Sequence, residues 1–184
     1  MKLSGQVAIV TGGGSGQGRA TALLFAQEGA RVVVGDINDK GAAETARLIN
    51  RQEGGQAIAA KVDVTKADEV SGMVDTALSH YGRLDILINN AGIGSGGAAG
   101  KRETSQDGHE LRFAVNYLAG FLLTRALLPL LMLGKPARIV NVSSLGQHPI
   151  DFDDVMLTRG YSGSRAYAQS KKPKVERRRR YSHS

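Results

Sequence analysis

The chain has 184 residues, a length typical of one domain that buries a hydrophobic core. Hydrophobic residues make up 41% of it and charged residues 22%, which excludes a chain that is disordered throughout. No apolar run is expected to reach transmembrane length, and no cleavable signal pattern opens the chain, so we expect a soluble, cytoplasmic protein. The absence of cysteine excludes disulfides and thiolate metal ligands, and the four histidines lack the spacing of a metal site.

The net charge of +7 is concentrated near the end of the chain. Residues 171–184 contain seven basic residues and one acidic residue, which leaves residues 1–170 with a net charge of only +1. A basic run of this kind is typical of a solvated, disordered tail; a nuclear import signal or a phosphate-binding arm is the alternative. We therefore expect the function to lie in the nearly neutral body, without nucleic acid as a partner.

Strand-like and helix-like segments alternate along the body. Short apolar runs rich in β-branched residues predict strands over residues 6–11, 31–36, 56–64, 85–89 and 137–143. Helical periodicity predicts a helix that ends at Gly29 and further helices over 39–52, 66–81 and 104–133. Continuous apolar strands separated by helices belong to a parallel sheet covered on both faces, so residues 1–171 are predicted to form a doubly wound α/β domain.

A glycine cluster follows the first strand and opens the first helix, with the spacing Gly12-x3-Gly16-x-Gly18. Backbone N–H groups and the helix dipole at such a turn can bind a pyrophosphate. The spacing is wider than the common Gly-x-Gly-x-x-Gly pattern, and a flexible loop is the alternative. Its place in the first βαβ unit favours a dinucleotide site.

Asp36 ends the second strand, where a carboxylate can accept hydrogen bonds from a ribose 2′-hydroxyl and repel a 2′-phosphate. This position favours NAD over NADP, and an ordinary turn aspartate is the alternative. Arg19 lies near the glycine loop in sequence, and we expect it to cap or pack there.

Six motifs in order resemble those of the short-chain dehydrogenases/reductases. They are Thr11–Gly18, Asp63-Val64, Asn89–Gly92, Asn116, Asn141–Ser144 and Tyr167–Lys171. The similarity covers residues 3–171. It implies a Rossmann-type oxidoreductase domain that transfers a hydride between a nicotinamide cofactor and an alcohol or carbonyl substrate.

The resemblance also implies which residues hold the cofactor, with Tyr167 and Lys171 at its nicotinamide end. The other implied cofactor residues are Gly12, Ser15, Gly16, Gly18, Asp36, Asp63, Val64, Asn90, Ala91 and Gly92. For the run from Asn89 to Gly92, a purely structural turn at the strand end is the alternative.

Tyr167 and Lys171 are four residues apart, so they share one face of a helix, and an ammonium near a phenol favours the phenolate that a general base requires. Taken alone, such a pair is more often an exposed helix pair. The resemblance implies that Tyr167 transfers the proton, that Lys171 also holds the nicotinamide ribose and that Ser144 orients the substrate oxygen, with Ser143 as its competitor. It gives Asn116 a place in a proton relay, although the residues alone leave a structural hydrogen bond equally open.

The stretch from Leu145 to Ala166 is longer than in compact family members and resembles the insertion of retinol-dehydrogenase-like and protochlorophyllide-reductase-like members. Long loops beside an active site often form part of the substrate pocket, so we expect a lipophilic alcohol or carbonyl. A solvent-facing loop is the alternative.

After Lys171 the sequence departs from the family, because Pro173 falls inside the expected helix and a run of arginines follows. We therefore expect residues 172–184 to be a foreign tail on a sheet that is incomplete at its C-terminal edge. The same departure weakens any homo-oligomer formed through the family's C-terminal helices. A catalytically weak or inactive nucleotide-binding remnant is the alternative function.

Overall fold

The computed structural model describes residues 1–96, 101–133 and 137–171. The described strands are β1 (Val7–Thr11), β2 (Arg31–Asp36), β3 (Gln56–Lys61), β4 (Ile86–Asn89) and β5 (Arg138–Asn141). The described helices are α1 (Gly16–Gln27), α2 (Asp39–Asn50), α3 (Ala67–Tyr81), α4 (Leu111–Phe113), α5 (Ala119–Leu133) and α6 (Gly163–Lys171), and a π-helical turn (Ala114–Leu118) joins α4 to α5. The expectations for the tail, Pro173 included, lie outside the described residues.

All strand pairs are parallel, and the strands lie in the order β3-β2-β1-β4-β5. Val10 of β1 lies opposite Val34 of β2 on one side and Ile88 of β4 on the other. The chain first builds outward from β1 to β3 and then returns to place β4 on the other side of β1. This reversal leaves a crevice at the carboxyl ends of β1 and β4, where ligands bind in open α/β sheets. The predicted Rossmann-type α/β fold is confirmed.

Helices cover both faces of the central strands, and every residue of β1 is buried, whereas the edge strand β5 is largely exposed. One face packs against small and branched residues of α1 and α2, which are Ala22, Ala26, Ala42, Ala46 and Ile49. The other face packs against residues of α3 and α5, which are Met73, Val74, Ala77, Leu123, Leu127 and Leu131. Burial on both faces explains why the strands are continuous apolar runs without a period of two.

The helix that carries α4, the π-helical turn and α5 begins later than the sequence predicts, at Leu111 instead of residue 104. Thr104 pairs with Glu110 in an isolated antiparallel bridge, and Gly108 has a φ of +81°. The Glu110 carboxylate then caps the helix by accepting a hydrogen bond of 2.7 Å from the N–H of Phe113. A local cap and a left-handed glycine therefore override the apolar periodicity.

The expectation that no apolar run reaches transmembrane length is wrong. The helix from Leu111 to Leu133 is long and apolar enough to cross a membrane, and 28% of its most apolar window is buried. Core helices pass the same test of length and composition. This helix places Leu123, Leu127 and Leu131 in the sheet core and leaves Phe121 and Leu122 exposed.

Candidate active site

The glycine turn between β1 and α1 has no room for side chains at two of its three motif positions. A Cβ at Gly18 would lie 2.0 Å from the carbonyl oxygen of Gly12, and one at Gly12 would lie 2.8 Å from the Cα of Ala91. Gly16 has a φ of +50°, and its Cβ position meets no described atom within 4 Å, so it faces open space. The turn therefore packs tightly against β4 and presents bare backbone where α1 begins.

Ser15 is the N-cap of α1, and within the described part of the chain its side chain makes no capping hydrogen bond. The first N–H groups of a helix lack partners inside the helix, so this end of α1 offers donors and a positive dipole to an anion.

A cleft of about 380 Å³ opens at the carboxyl ends of β1, β2 and β4. Its wall contains ten residues that the sequence assigns to the cofactor, namely Gly12, Ser15, Gly16, Gly18, Asp36, Asp63, Val64, Asn90, Ala91 and Gly92. It also contains five that the sequence reasoning missed, which are Gln17, Ile37, Val62, Ile93 and Val115. Ile37 directly follows the assigned Asp36, and Ile93 directly follows the assigned Gly92. Their position after a predicted strand could therefore have identified them. Val115 comes from the π-helical turn.

Asp36 lies at the edge of this cleft and fixes the turns around it. Its Oδ2 accepts a hydrogen bond of 2.8 Å from the N–H of Gly14, and its Oδ1 accepts one of 2.9 Å from the N–H of Asn38. Arg19 donates from Nε to the Thr45 hydroxyl at 2.9 Å and from Nη2 to the carbonyl of Gly14. Arg19 therefore packs against the glycine turn, as the sequence predicts.

Asn90 and Asp63 line the cleft while their side chains hold its backbone. The Asn90 amide donates to the carbonyls of Thr11 and Gly12, both at 3.0 Å, and so joins the end of β4 to the glycine turn. Asp63 Oδ1 accepts hydrogen bonds from the N–H and the hydroxyl of Thr65, at 3.0 and 2.7 Å. For residues 89–92, the sequence left a structural turn as the alternative to a place in the cofactor site. Asn90 makes the bonds of such a turn and also lines the cleft.

Asn116 lies in the π-helical turn, fully buried, and both the nitrogen and the oxygen of its amide make hydrogen bonds. It donates to the Ile93 carbonyl at 3.0 Å and to the Ser170 hydroxyl at 2.8 Å, and it accepts from the Ile93 N–H at 2.8 Å. A Cβ at Gly92 would lie 3.1 Å from both Asn116 Oδ1 and Lys171 Nζ. Gly92 therefore lies where the cleft wall, the π-helical turn and α6 meet.

Tyr167 and Lys171 lie on the predicted helix, here α6, with Lys171 Nζ 5.7 Å from the centre of the Tyr167 ring. Lys171 is 6% exposed, and this burial lowers the pKa of its ammonium group, while the charge of a Tyr167 phenolate acts in the opposite direction. An ammonium with a lowered pKa releases its proton more readily, which suits a relay.

The two candidate serines after β5 make different contacts. The Ser143 hydroxyl donates to the carbonyl of Lys171 at 3.1 Å, which fastens the end of α6 to β5. Ser144 Oγ accepts a hydrogen bond of 3.2 Å from the N–H of Gly146. Among the described residues, no hydrogen bond joins Ser144 to Tyr167.

A second cleft, of about 630 Å³, adjoins Tyr167. Its wall contains Tyr167, Gln169 and their neighbours on α6, and also His148, Pro149 and Asp151 from the long stretch before that helix. Ser95, from the loop after β4, completes the wall. The long stretch therefore borders the expected proton-transfer residue.

The sequence reasoning missed a buried charged cluster near this second cleft. The guanidinium of Arg112 donates to the Tyr161 hydroxyl at 2.6 Å and to the Gly94 carbonyl at 3.0 Å. The Tyr161 hydroxyl in turn donates to Glu110 Oε1 at 3.0 Å. The cluster joins the loop after β4, the start of α4 and the segment before α6. No local pattern could have found it, because Tyr161 is 49 residues from Arg112.

Comparison with known proteins places these features in a family. The short chain dehydrogenase family model matches residues 6–170. Retinol dehydrogenase 14 of Mus musculus is 36% identical, in an alignment that covers 92% of this chain and 53% of that protein. The chain spans about half the length of the curated relatives it matches.

Solved structures show the same arrangement of elements. A 7α-hydroxysteroid dehydrogenase in complex with NADH and 7-oxo glycochenodeoxycholic acid superposes with a TM-score of 0.74 and is 33% identical, covering 92% of this chain and 61% of that one. A metagenomic short-chain oxidoreductase in complex with NADP superposes with a TM-score of 0.71 and is 31% identical, covering 93% of this chain and 72% of that one. The glycine turn, the order of the strands and the match over residues 6–170 agree: the chain belongs to the short-chain dehydrogenase family.

Proposed function

We propose that the chain binds a nicotinamide dinucleotide in the cleft beside β1 and β4 and transfers a hydride between it and an alcohol or carbonyl compound, with Tyr167 as the general acid–base. The position of Gly92 carries this proposal. It lines the cofactor cleft, and its Cβ position lies 3.1 Å from both Asn116 Oδ1 and Lys171 Nζ. The binding cleft and the candidate proton-transfer residues thus meet at one point.

The residues present fit such a cofactor. Bare backbone at Gly16 and the start of α1 suit the pyrophosphate, Asp36 suits the adenosine ribose, and Asp63 with Val64 borders the adenine side. When bound, the nicotinamide ring supplies the carbon that accepts or gives the hydride.

This chain's own residues would handle the proton and the orientation of the substrate. Tyr167 takes the proton from an alcohol, or returns it to a carbonyl oxygen, and the Lys171 ammonium stabilises the phenolate. Asn116 holds the loop at Ile93 against α6 through Ser170, and we assign it to the proton relay that the family resemblance implies. Ser144 orients the substrate oxygen, because the hydroxyl of its competitor Ser143 is engaged by the Lys171 carbonyl.

We propose NAD as the preferred cofactor, since Asp36 brings a carboxylate to the cleft edge and the nearby Arg19 is already engaged by Thr45 and Gly14. A lipophilic alcohol or carbonyl is the proposed substrate class. The names of a retinol dehydrogenase and a hydroxysteroid dehydrogenase among the relatives support it. The cytoplasmic location stays a prediction.

The test removes the phenolic oxygen of Tyr167 by the substitution Tyr167→Phe. Purified protein with NAD and a panel of primary and secondary alcohols is expected to form NADH, and Tyr167→Phe should lower kcat by about a thousandfold because the general base is lost. Calorimetry should show the same NADH affinity for both proteins, and Tyr81→Phe, the same change at the end of α3, should retain activity.

Two outcomes would contradict the proposal. Turnover that Tyr167→Phe leaves unchanged would rule out Tyr167 as the acid–base. NADH binding without hydride transfer from any alcohol, or to any carbonyl of a matching panel, would instead support the nucleotide-binding alternative.

A further inference from the structure

Gln169 lies between Tyr167 and Lys171 on α6, and both ends of its amide are engaged by the long stretch before that helix. Its side chain donates to the Val155 carbonyl at 2.8 Å and accepts from the Asp151 N–H at 3.1 Å. It is only 2% exposed. A buried amide is costly unless both its donor and its acceptor find partners, so this pairing is specific to glutamine among side chains of its length.

Residues 148–158, which Gln169 contacts, are ordered by hydrogen bonds within the segment, although part of it, including Phe152, is exposed to solvent. The Asp154 carboxylate accepts hydrogen bonds from the N–H groups of Thr158 at 2.8 Å and Arg159 at 3.0 Å, and these bonds lower the pKa of that carboxyl. Leu157 is buried although its φ is +48°, a conformation that a leucine keeps only when its surroundings impose it. We call residues 148–158 the wall segment.

The wall segment is attached to α6 at several points on its cleft side. Besides the two Gln169 bonds, the N–H of His148 donates to the Ala168 carbonyl at 3.1 Å. The Arg165 guanidinium pairs with the Asp151 carboxylate at 2.8 Å, but both side chains are partly exposed to solvent. Exposed ion pairs contribute little, so Gln169 provides the buried side-chain attachment.

We propose that Gln169 is a positioning residue that fixes the wall segment opposite Tyr167 and thereby sets how much bulk a substrate can carry beside its reacting carbon. This inference rests on the proposed function, because it takes the 630 Å³ cleft as the substrate site. His148, Pro149 and Asp151 line that cleft together with Tyr167. Gln169 also lines it and holds the same stretch of backbone through Asp151 and Val155. A small alcohol reaches Tyr167 without touching the wall segment, whereas a bulky one packs against it.

The first test does not depend on turnover. Gln169→Glu keeps the shape of the side chain but sets a carboxylate against the Val155 carbonyl, and amide hydrogen exchange over residues 150–157 should become about tenfold faster. Gln169→Leu removes both bonds without adding a charge and should act in the same direction. Gln147→Glu makes the same chemical change at an exposed position nearby and should leave exchange unchanged. Unchanged exchange in both Gln169 variants would overturn the proposal.

The second test separates positioning from a general structural role. With a bulky cyclic alcohol, KM should rise about tenfold in Gln169→Glu while kcat holds, and with a two- or three-carbon alcohol both constants should match those of the wild type. Calorimetric affinity for NADH should stay the same. An equal loss of kcat with both alcohols would show that Gln169 acts on α6 itself and would contradict the role in substrate choice.

If the wild-type protein turns over no alcohol or carbonyl, the proposed function fails, and the role in substrate choice fails with it. The exchange measurement still decides in that case whether Gln169 fixes the wall segment. The two failures are therefore distinguishable.

Discussion

In the proposed cofactor site, the Asp36 carboxylate lies beside the adenosine ribose, at whose 2′ position the two nicotinamide cofactors differ. Like charges in close contact repel strongly near a protein surface, so wild-type protein should bind NAD more tightly than NADP. Asp36→Asn removes the charge and should narrow the difference in affinity, measured by calorimetry, by about tenfold or more. Asp39→Asn, at the start of α2 and outside the cleft wall, is the matched control.

Tighter binding of NADP than of NAD by the wild-type protein would contradict this role of Asp36. An equal change of the affinity difference in Asp36→Asn and Asp39→Asn would contradict it as well, because the effect would then come from the net charge of the protein and not from the position of Asp36.

Tyr161 hydrogen-bonds to both the buried Arg112 and the buried Glu110, and its removal takes one hydrogen bond from each, although their direct ion pair of 3.6 Å remains. Tyr161→Phe should lower the free energy of unfolding at neutral pH by about 1–3 kcal/mol. Burial, together with the hydrogen bond to Glu110, raises the pKa of Tyr161. The folded state therefore holds this proton longer than the unfolded state, whose tyrosine pKa is about 10.

The contribution of this raised pKa is fully present below the unfolded value and is lost as pH rises through the folded value. Denaturant titrations at a series of alkaline pH values should show the wild-type stability falling towards that of Tyr161→Phe. Curves that stay parallel across this range would contradict the linkage.

Most residues that line the first cleft could be predicted individually, whereas the buried cluster could not. Gly12, Gly16 and Asp36 stand at strand ends that the apolar runs reveal, so their meeting in one cleft follows from the topology of a parallel sheet. Glu110 and Arg112 are two charged residues at the start of an apolar helix, a pattern that predicts a solvated helix end. Their burial depends on Tyr161, about 50 residues further along the chain.

At the scale of elements, the glycine turn depends on how closely α1 approaches β1. Gly18→Ala would bring a Cβ within 2.0 Å of the Gly12 carbonyl oxygen, so the turn must shift. We expect a loss of about 1–3 kcal/mol in the free energy of unfolding. NADH affinity should fall as well, since the displaced turn no longer aims its N–H groups at the pyrophosphate.

Gly72 in α3 provides the matched control, because its Cβ position meets no described atom within 4 Å. Gly72→Ala should raise the free energy of unfolding by about 0.5–1 kcal/mol and leave NADH affinity unchanged. If both alanine variants showed the same stability and affinity, close packing at Gly18 would not be the constraint.

The boundaries of strands and helices were predictable where hydrophobic periodicity sets them, and not where side-chain caps set them. The strands follow their apolar runs closely, although β3 ends at Lys61, three residues earlier than predicted. There Asp63 turns the chain by accepting the Thr65 N–H. The helix expected from residue 104 begins at Leu111, because Gly108 and the Glu110 cap interrupt a pattern that is otherwise continuous.

For the molecule as a whole, the charge distribution and the fold both place almost all of the candidate functional site in residues 1–170. Residues 1–170 carry a net charge of only +1, and they contain the sheet, both clefts and almost all of α6. The fold class followed from the order of strands and helices. The wall segment could be located in the sequence by its length, but its attachment through Gln169 needed the packed structure, since a glutamine inside a catalytic motif has no pattern of its own.

Under the proposed function, a hydride passes directly between a substrate carbon and a nicotinamide bound beside Tyr167. The most direct measurement supplies NAD and an alcohol that carries deuterium on its carbinol carbon, and then determines by mass spectrometry whether the reduced cofactor contains deuterium. The wild-type protein should yield one deuterium per reduced cofactor, and Tyr167→Phe should yield almost no reduced cofactor over the same time. Reduced cofactor without deuterium, or the same yield from both proteins, would contradict the claim.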